Sequence, residues 1–142
     1  MVDAQRTQSA AALLAMVEAA HDALRASFAA ARDRWERSPG GEEWSPRLNA
    51  EHVLGGEIRY AQIVAKAIGA PEPPPQTFSF ASAEEATAAL ARLVDSLNAV
   101  YRALTDANLS APTPWRDHVR NVMEVVISHA NDHAGQIRRE HL

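Results

Sequence analysis

Apolar residues recur three and four positions apart along four long stretches of this 142-residue chain, and no stretch shows the every-second-residue alternation of a half-buried strand. That patterning predicts an all-α fold, a four-helix bundle, in which each helix turns one apolar stripe inward. The length suits one domain over residues 1–142, with enough chain to bury a core. The first helix is expected from about Thr7 to Arg37, with Leu13, Val17, Ala20, Leu24, Phe28, Ala31 and Trp35 inward and Glu18, Arg25 and Arg32 facing elsewhere. Ser38-Pro39-Gly40-Gly41 stops it. The second opens at Ser45-Pro46, a hydroxyl cap followed by a proline where a missing N–H costs nothing, and ends near Gly69.

From Ala70 to Ser82 the chain is too rich in proline for helix, with Pro71-Glu72-Pro73-Pro74-Pro75 at its centre, and reads as an extended connector. It is long for a tight hairpin, so helices two and three need not be simple antiparallel neighbours. Helix three starts at Ser82 with Glu85 three residues on, the pattern of a capping box. Its stripe is Ala86, Leu90, Leu93, Leu97, then Val100 or Tyr101, and Leu104. A further break at Ser110-Ala111-Pro112-Thr113-Pro114 leads to helix four, from about Trp115 to Arg139. Gly55-Gly56 lies inside helix two, where each glycine costs about 1 kcal/mol relative to alanine. Close packing or room for a ligand would offset that cost.

Helix four carries Val122, Val126, His129, His133 and Ile137 on one stripe, so two histidines four residues apart point at the core. Stacked one turn above the other, they can converge on one metal ion without distorting the backbone. A pair alone is weak evidence among six histidines. It needs a third ligand and a buried context. His52 on helix two offers that ligand, with Gly56, Tyr60 and Ile63 following on its face. Placed inward without partners, imidazoles are unfavourable, and a shared ion satisfies several at once. The competing reading is a set of core-flanking histidines bonded to nearby carbonyls or carboxylates.

The segment Glu43-Trp44-Ser45-Pro46-Arg47-Leu48-Asn49-Ala50-Glu51-His52 resembles the tryptophan-serine, then histidine, signature of the DinB-like superfamily, and His129-Ala130-Asn131-Asp132-His133-Ala134-Gly135-Gln136-Ile137 resembles its second motif. Both stand in the expected order, and the resemblance spans essentially the whole chain. It implies a four-helix bundle with a long crossover between helices two and three. It further implies that His52, His129 and His133 ligate a divalent metal, zinc or nickel before iron, with water at an open position. Some relatives are transferases or isomerases that use low-molecular-weight thiols as cosubstrates, others are described as metal-dependent hydrolases, and the resemblance also implies a homodimer. The chain is expected to hold the bundle alone, without the added domain some relatives carry, which leaves the small-molecule substrate open.

Other residues frame the site more loosely. Gln136 falls nearly above His129 and can contact a ligand or substrate or stay a surface glutamine, while His21, beside the stripe of helix one, is a candidate fourth ligand or proton relay. His118 and His141, near helix ends, are expected to face solvent or complement the helix dipole. Trp35, Trp44 and Trp115 lie near helix ends, where closing the core is expected ahead of lining a pocket. Glu51, Glu57 and Asp132 adjoin the histidines in sequence without sharing their face, so no general base is assigned and the acids are read as mostly a solvated surface.

Cysteine is absent, which excludes disulfides, thiolate nucleophiles and iron–sulfur clusters. No serine–histidine–aspartate arrangement stands out either. A net charge of −4 with scattered arginines argues against a nucleic-acid partner, and no run is long and apolar enough for a membrane span. The N-terminal Met1-Val2-Asp3-Ala4-Gln5-Arg6 lacks the character of a leader, so a cytoplasmic protein is expected. Besides a metal-dependent enzyme, two readings remain: a non-catalytic metal-binding or stress-response bundle, and a metal-free bundle that binds a partner helix or an apolar ligand.

Overall fold

The computed structural model describes residues 8–115 and 118–139. The leader reading, the Thr7 start of helix one and His141 lie outside these residues. Among them are four α-helices: α1 (Ala10–Ala30), α2 (Pro46–Ile68), α3 (Ala83–Tyr101) and α4 (Val119–Arg138). None is long and apolar enough to cross a membrane.

Local chemistry sets the helix ends. Ser9 Oγ accepts from Ala12 N at 3.1 Å and opens α1. The helix ends at Ala30 rather than Arg37, giving way to a 3-10 turn at Arg32–Arg34. The tighter turn keeps Ala31 and Trp35 in the core, and Trp35 Nε1 donates to Phe80 O at 3.0 Å. Ser45 caps α2 through Leu48 N, Pro46 takes the first turn, and Gly69 ends the helix at φ 74°, a left-handed conformation suited to glycine. At α3, Ser82 Oγ accepts from Glu85 N as the capping pattern requires, but Glu85 Oε2 accepts from Ala81 N at 2.6 Å, one residue before the expected donor. Pro112 to Pro114 stay in the break as expected, but α4 starts at Val119 rather than Trp115, with His118 as the N-cap, its N–H donating to Asn121 Oδ1 at 3.1 Å. His118 is exposed, as a solvent-facing residue.

All the stripe residues expected inward on α1 and α3 are buried, including both Val100 and Tyr101. They join Val53, Leu54, Ala61 and Val64 of α2 and Val122, Met123, Val126 and Ile137 of α4 in one continuous core.

Helix directions follow from the bonds between helix ends. Arg47 N donates to Trp35 O, joining the end of α1 to the start of α2. Ala10 N donates to Asp106 Oδ1 and Arg120 Nη1 to Gln8 O, so the start of α1 meets the end of α3 and the start of α4. Hence α1 and α4 run one way, and α2 and α3 the other. Since α2 packs on both α3 and α4, α2 and α3 are parallel neighbours. The connector must therefore return along the length of α2. At 1.5 Å per residue, the 23 residues of α2 span about 35 Å, while residues 69–82 in extended form reach about 43 Å. The crossover lies along α2 as required: Gln62 Nε2 donates to Pro73 O, Arg47 Nη2 to Ser79 Oγ, and Phe80 N to Glu51 Oε2. Proline suits this path, because an extended strap beside a helix has no ladder partner for an N–H.

Candidate metal centre

His52 stands two turns into α2, and His129 and His133 stand in the last turns of α4. Because α2 and α4 are antiparallel neighbours, the three rings meet. Their centroids lie 5.5 Å (His52–His129), 5.1 Å (His52–His133) and 4.5 Å (His129–His133) apart. One nitrogen from each can be chosen so that all three lie within 4.8 Å of one another, and no other such cluster of histidine and acidic side chains occurs among the described residues. Nitrogens bound at about 2.0–2.1 Å around a tetrahedral ion would lie about 3.4 Å apart. His52 is exposed and makes no hydrogen bond among the described residues, so no bond opposes an inward turn of its ring by that margin.

Each ring is set by a different neighbour. His133 is buried, and its Nδ1 lies 2.8 Å from Asn49 Oδ1. The Asn49 amide nitrogen faces the carbonyls of Trp44 and Ser45, so its oxygen must face the ring and His133 Nδ1 is the donor. This leaves the Nε2 lone pair for a ligand. His129 packs on Gly56, where a Cβ would lie 3.0 Å from Cε1, and Tyr60 meets the ring edge to face at 5.3 Å. His129 Nδ1 is buried without a hydrogen-bond partner. Trp44 lies edge-on to His52 at 4.9 Å and stacks over His133 at 6.5 Å.

Burial and the neighbouring imidazoles hold His133 down at about 4 and push His129 below its ordinary value, in each case against the opposing effect of Asp132. Both rings are thus neutral at pH 7, the state a metal requires. The orphaned Nδ1 of His129, the bonded tautomer of His133 and the all-nitrogen donor set fit a metal ion held through imidazole nitrogen.

His52 and His129 line a cleft of about 500 Å³ that opens to solvent. His52, Gly55 and Gly56 form its floor, and Gln76, Thr77 and Phe78 of the crossover line its other side. Trp44 separates it from a second cleft of about 440 Å³ that holds Gln136 and Arg139. Gln136 is exposed and lies in that second cleft, away from His129.

Other expectations resolve differently. His21 does not join the histidine cluster. It is buried between helices, with Nε2 at 2.5 Å from Glu57 Oε1, and Glu57 is wholly buried rather than part of a solvated face. The sequence carries a sign of this pair, since Glu57 interrupts the apolar stripe Val53, Ala61, Val64. Glu51 is occupied by Arg47 and Phe80 N. Of the tryptophans, Trp35 closes the core as expected, whereas Trp44 and Trp115 are exposed, Trp44 walling both clefts and Trp115 stacking on Tyr60 at 5.4 Å. Asn49 was not singled out by the motifs, although it begins the same stripe as His52, Gly56 and Tyr60.

No curated protein and no solved structure shows a significant match to the chain. The family model of the DinB superfamily matches residues 16–137, which takes in α2, α3, most of α1 and α4, and the three clustered histidines. The chain belongs to the DinB superfamily.

Proposed function

We propose that this protein binds one divalent metal ion through His52, His129 and His133 and uses it to activate a low-molecular-weight thiol or a water molecule, as a thiol S-transferase or a hydrolase. The observation that carries the reading is the convergence of three imidazoles, two of them held neutral, with His52 and His129 lining an open cleft and His133 buried beside them. A divalent ion held by three nitrogens, with a position left open, lowers the pKa of a bound thiol or water and supplies a nucleophile near neutral pH.

The chain's own residues supply position. Asn49 fixes the tautomer and plane of His133. Gly56 lets His129 approach α2 closely. Trp44 stacks beside His133 at 6.5 Å and walls the cleft next to His52. With no cysteine in the chain and Glu51 already paired, the nucleophile comes from a small molecule rather than from a side chain. A purely structural ion is the alternative, but the apolar core is continuous from Leu13 to Ile137 without it. Chelation is therefore expected to leave the helices formed and lower the melting temperature only modestly.

Elemental analysis of untagged protein, purified without a metal column, tests the reading. About one zinc, nickel or iron per chain is expected in the wild type and almost none in His133→Ala, with helical circular dichroism retained. Equal metal content in the two proteins, or no uptake of added zinc or nickel by either, would overturn it.

A further inference from the structure

The two adjacent glycines of α2 have different surroundings. A Cβ on Gly56 would press on His129, whereas a Cβ on Gly55 would meet nothing within 4 Å. Packing thus accounts for Gly56 and leaves Gly55, a poor helix former in mid-helix, without a structural reason. Gly55 lies on the cleft floor midway along the stripe His52, Gly55, Arg59, with steps of three and four. All three side chains therefore share one face of α2, and His52 and Arg59 are about 10 Å apart along the helix axis.

Arg59 is exposed at the cleft and makes no ion pair or hydrogen bond among the described residues. The other charged side chain of the lining, Glu51, is neutralised by Arg47 at 2.9 Å. The cleft thus has a single uncompensated cation at one end and the histidines at the other. Its lining also carries the aromatic rings of Tyr60, Phe78 and Trp44, beside Leu48, Gln76 and Thr77.

We propose that this cleft takes an elongated small molecule with one terminal oxyanion, a carboxylate in the simplest case, lying over Gly55 with its anionic end on Arg59 and its reacting end at the histidine cluster. A single guanidinium fits one carboxylate through paired N–H donors. The aromatic rings cover the apolar body, and the bare face of Gly55 leaves it room. The assignment of the reacting end rests on the metal reading above, while the anionic end rests on Arg59 alone.

The probes are 8-mercaptooctanoate and 8-mercaptooctanol, two thiols alike in length and differing in terminal charge. They are titrated into cobalt-loaded wild type, Arg59→Gln and Gly55→Leu, and followed by the thiolate-to-cobalt absorption band. Wild type is expected to bind the acid about tenfold more tightly than the alcohol, as one charge-assisted contact provides. Arg59→Gln should abolish that preference with unchanged cobalt stoichiometry. Gly55→Leu should weaken both thiols while keeping or raising the melting temperature, since leucine is the better helix former. Equal affinity for acid and alcohol in wild type, or a preference that survives Arg59→Gln, would overturn the proposal. Failure to take up cobalt would count against the metal reading alone. The charge preference would then be read on metal-free protein with octanoate and octanol by tryptophan fluorescence, to which Trp44 contributes, and its absence there would sink the oxyanion site.

Discussion

Asn49 shows how one buried amide can decide the state of a metal ligand. It is 2 % exposed, two carbonyls fix which way its amide points, and His133 is left with a single bonded tautomer. Asn49→Ala removes that orientation and is expected to weaken zinc affinity by roughly 10- to 100-fold without abolishing stoichiometric binding, as other outer partners of ligating histidines do. Competition with a chelator of known affinity measures this, and an unchanged dissociation constant would show that packing alone orients the ring. The histidines themselves were legible in the sequence, because spacing on a helix fixes which residues share a face. The fate of His21 was not. Its partner Glu57 lies 36 residues away, and only the crossing of α1 and α2 brings the two side chains together. An acid inside an apolar stripe marked Glu57 as unusual but did not say what it met.

At the scale of the element, α2 carries the site because its cleft-facing stripe is kept small where α4 comes near. His129 approaches so closely at Gly56 that a methyl group there would press on the ring at 3.0 Å. Gly56→Ala gains about 1 kcal/mol of helix propensity and loses about 1–3 kcal/mol to overpacking, so its melting temperature should move little or fall slightly. Its zinc affinity, in contrast, should drop by a few-fold, because the His129 ring must give way by a few tenths of an ångström from the common centre. Isothermal titration beside a thermal melt separates the two effects, and full affinity in Gly56→Ala would remove any functional reason for that glycine. Helix starts marked by a hydroxyl before a helical stretch were readable, as at Ser45 and Ser82. The start of α4 was not: it moves from Trp115 to Val119, whose N pairs with Ala111 O across the loop. Such a bond depends on the folded loop and leaves no trace in local propensity.

Over the whole molecule, the crossover decides which helices are parallel, and so which ends meet. Proline density announced an extended connector, but its course along α2, where it becomes a wall of the cleft, is set by Gln62, Arg47 and Glu51 binding it from the helix. Closing the bundle in this way buries His133 and half-buries His129 beside a third imidazole, which links the site to global stability. His133 titrates at about 4 in the fold, against 6.5 for an unperturbed histidine, and His129 is shifted in the same direction. Between these values the unfolded chain holds more protons than the folded one, so the free energy of unfolding rises with pH. The contribution is complete above 6.5 and is lost as the pH falls toward 4. For His133 the slope is at most about 1.4 kcal/mol per pH unit, and partial solvent access lowers it. In the loaded protein the same protons compete with the ion, so acid should release metal over the same range. Urea midpoints of chelator-treated wild type should therefore fall more steeply from about pH 7 to about pH 5 than those of a His129→Gln, His133→Gln double variant, in which only the carboxylates and remaining histidines still titrate. Parallel curves for the two proteins would mean that closing the bundle does not hold these imidazoles neutral, and that the cluster enters the folded state already free to take up protons.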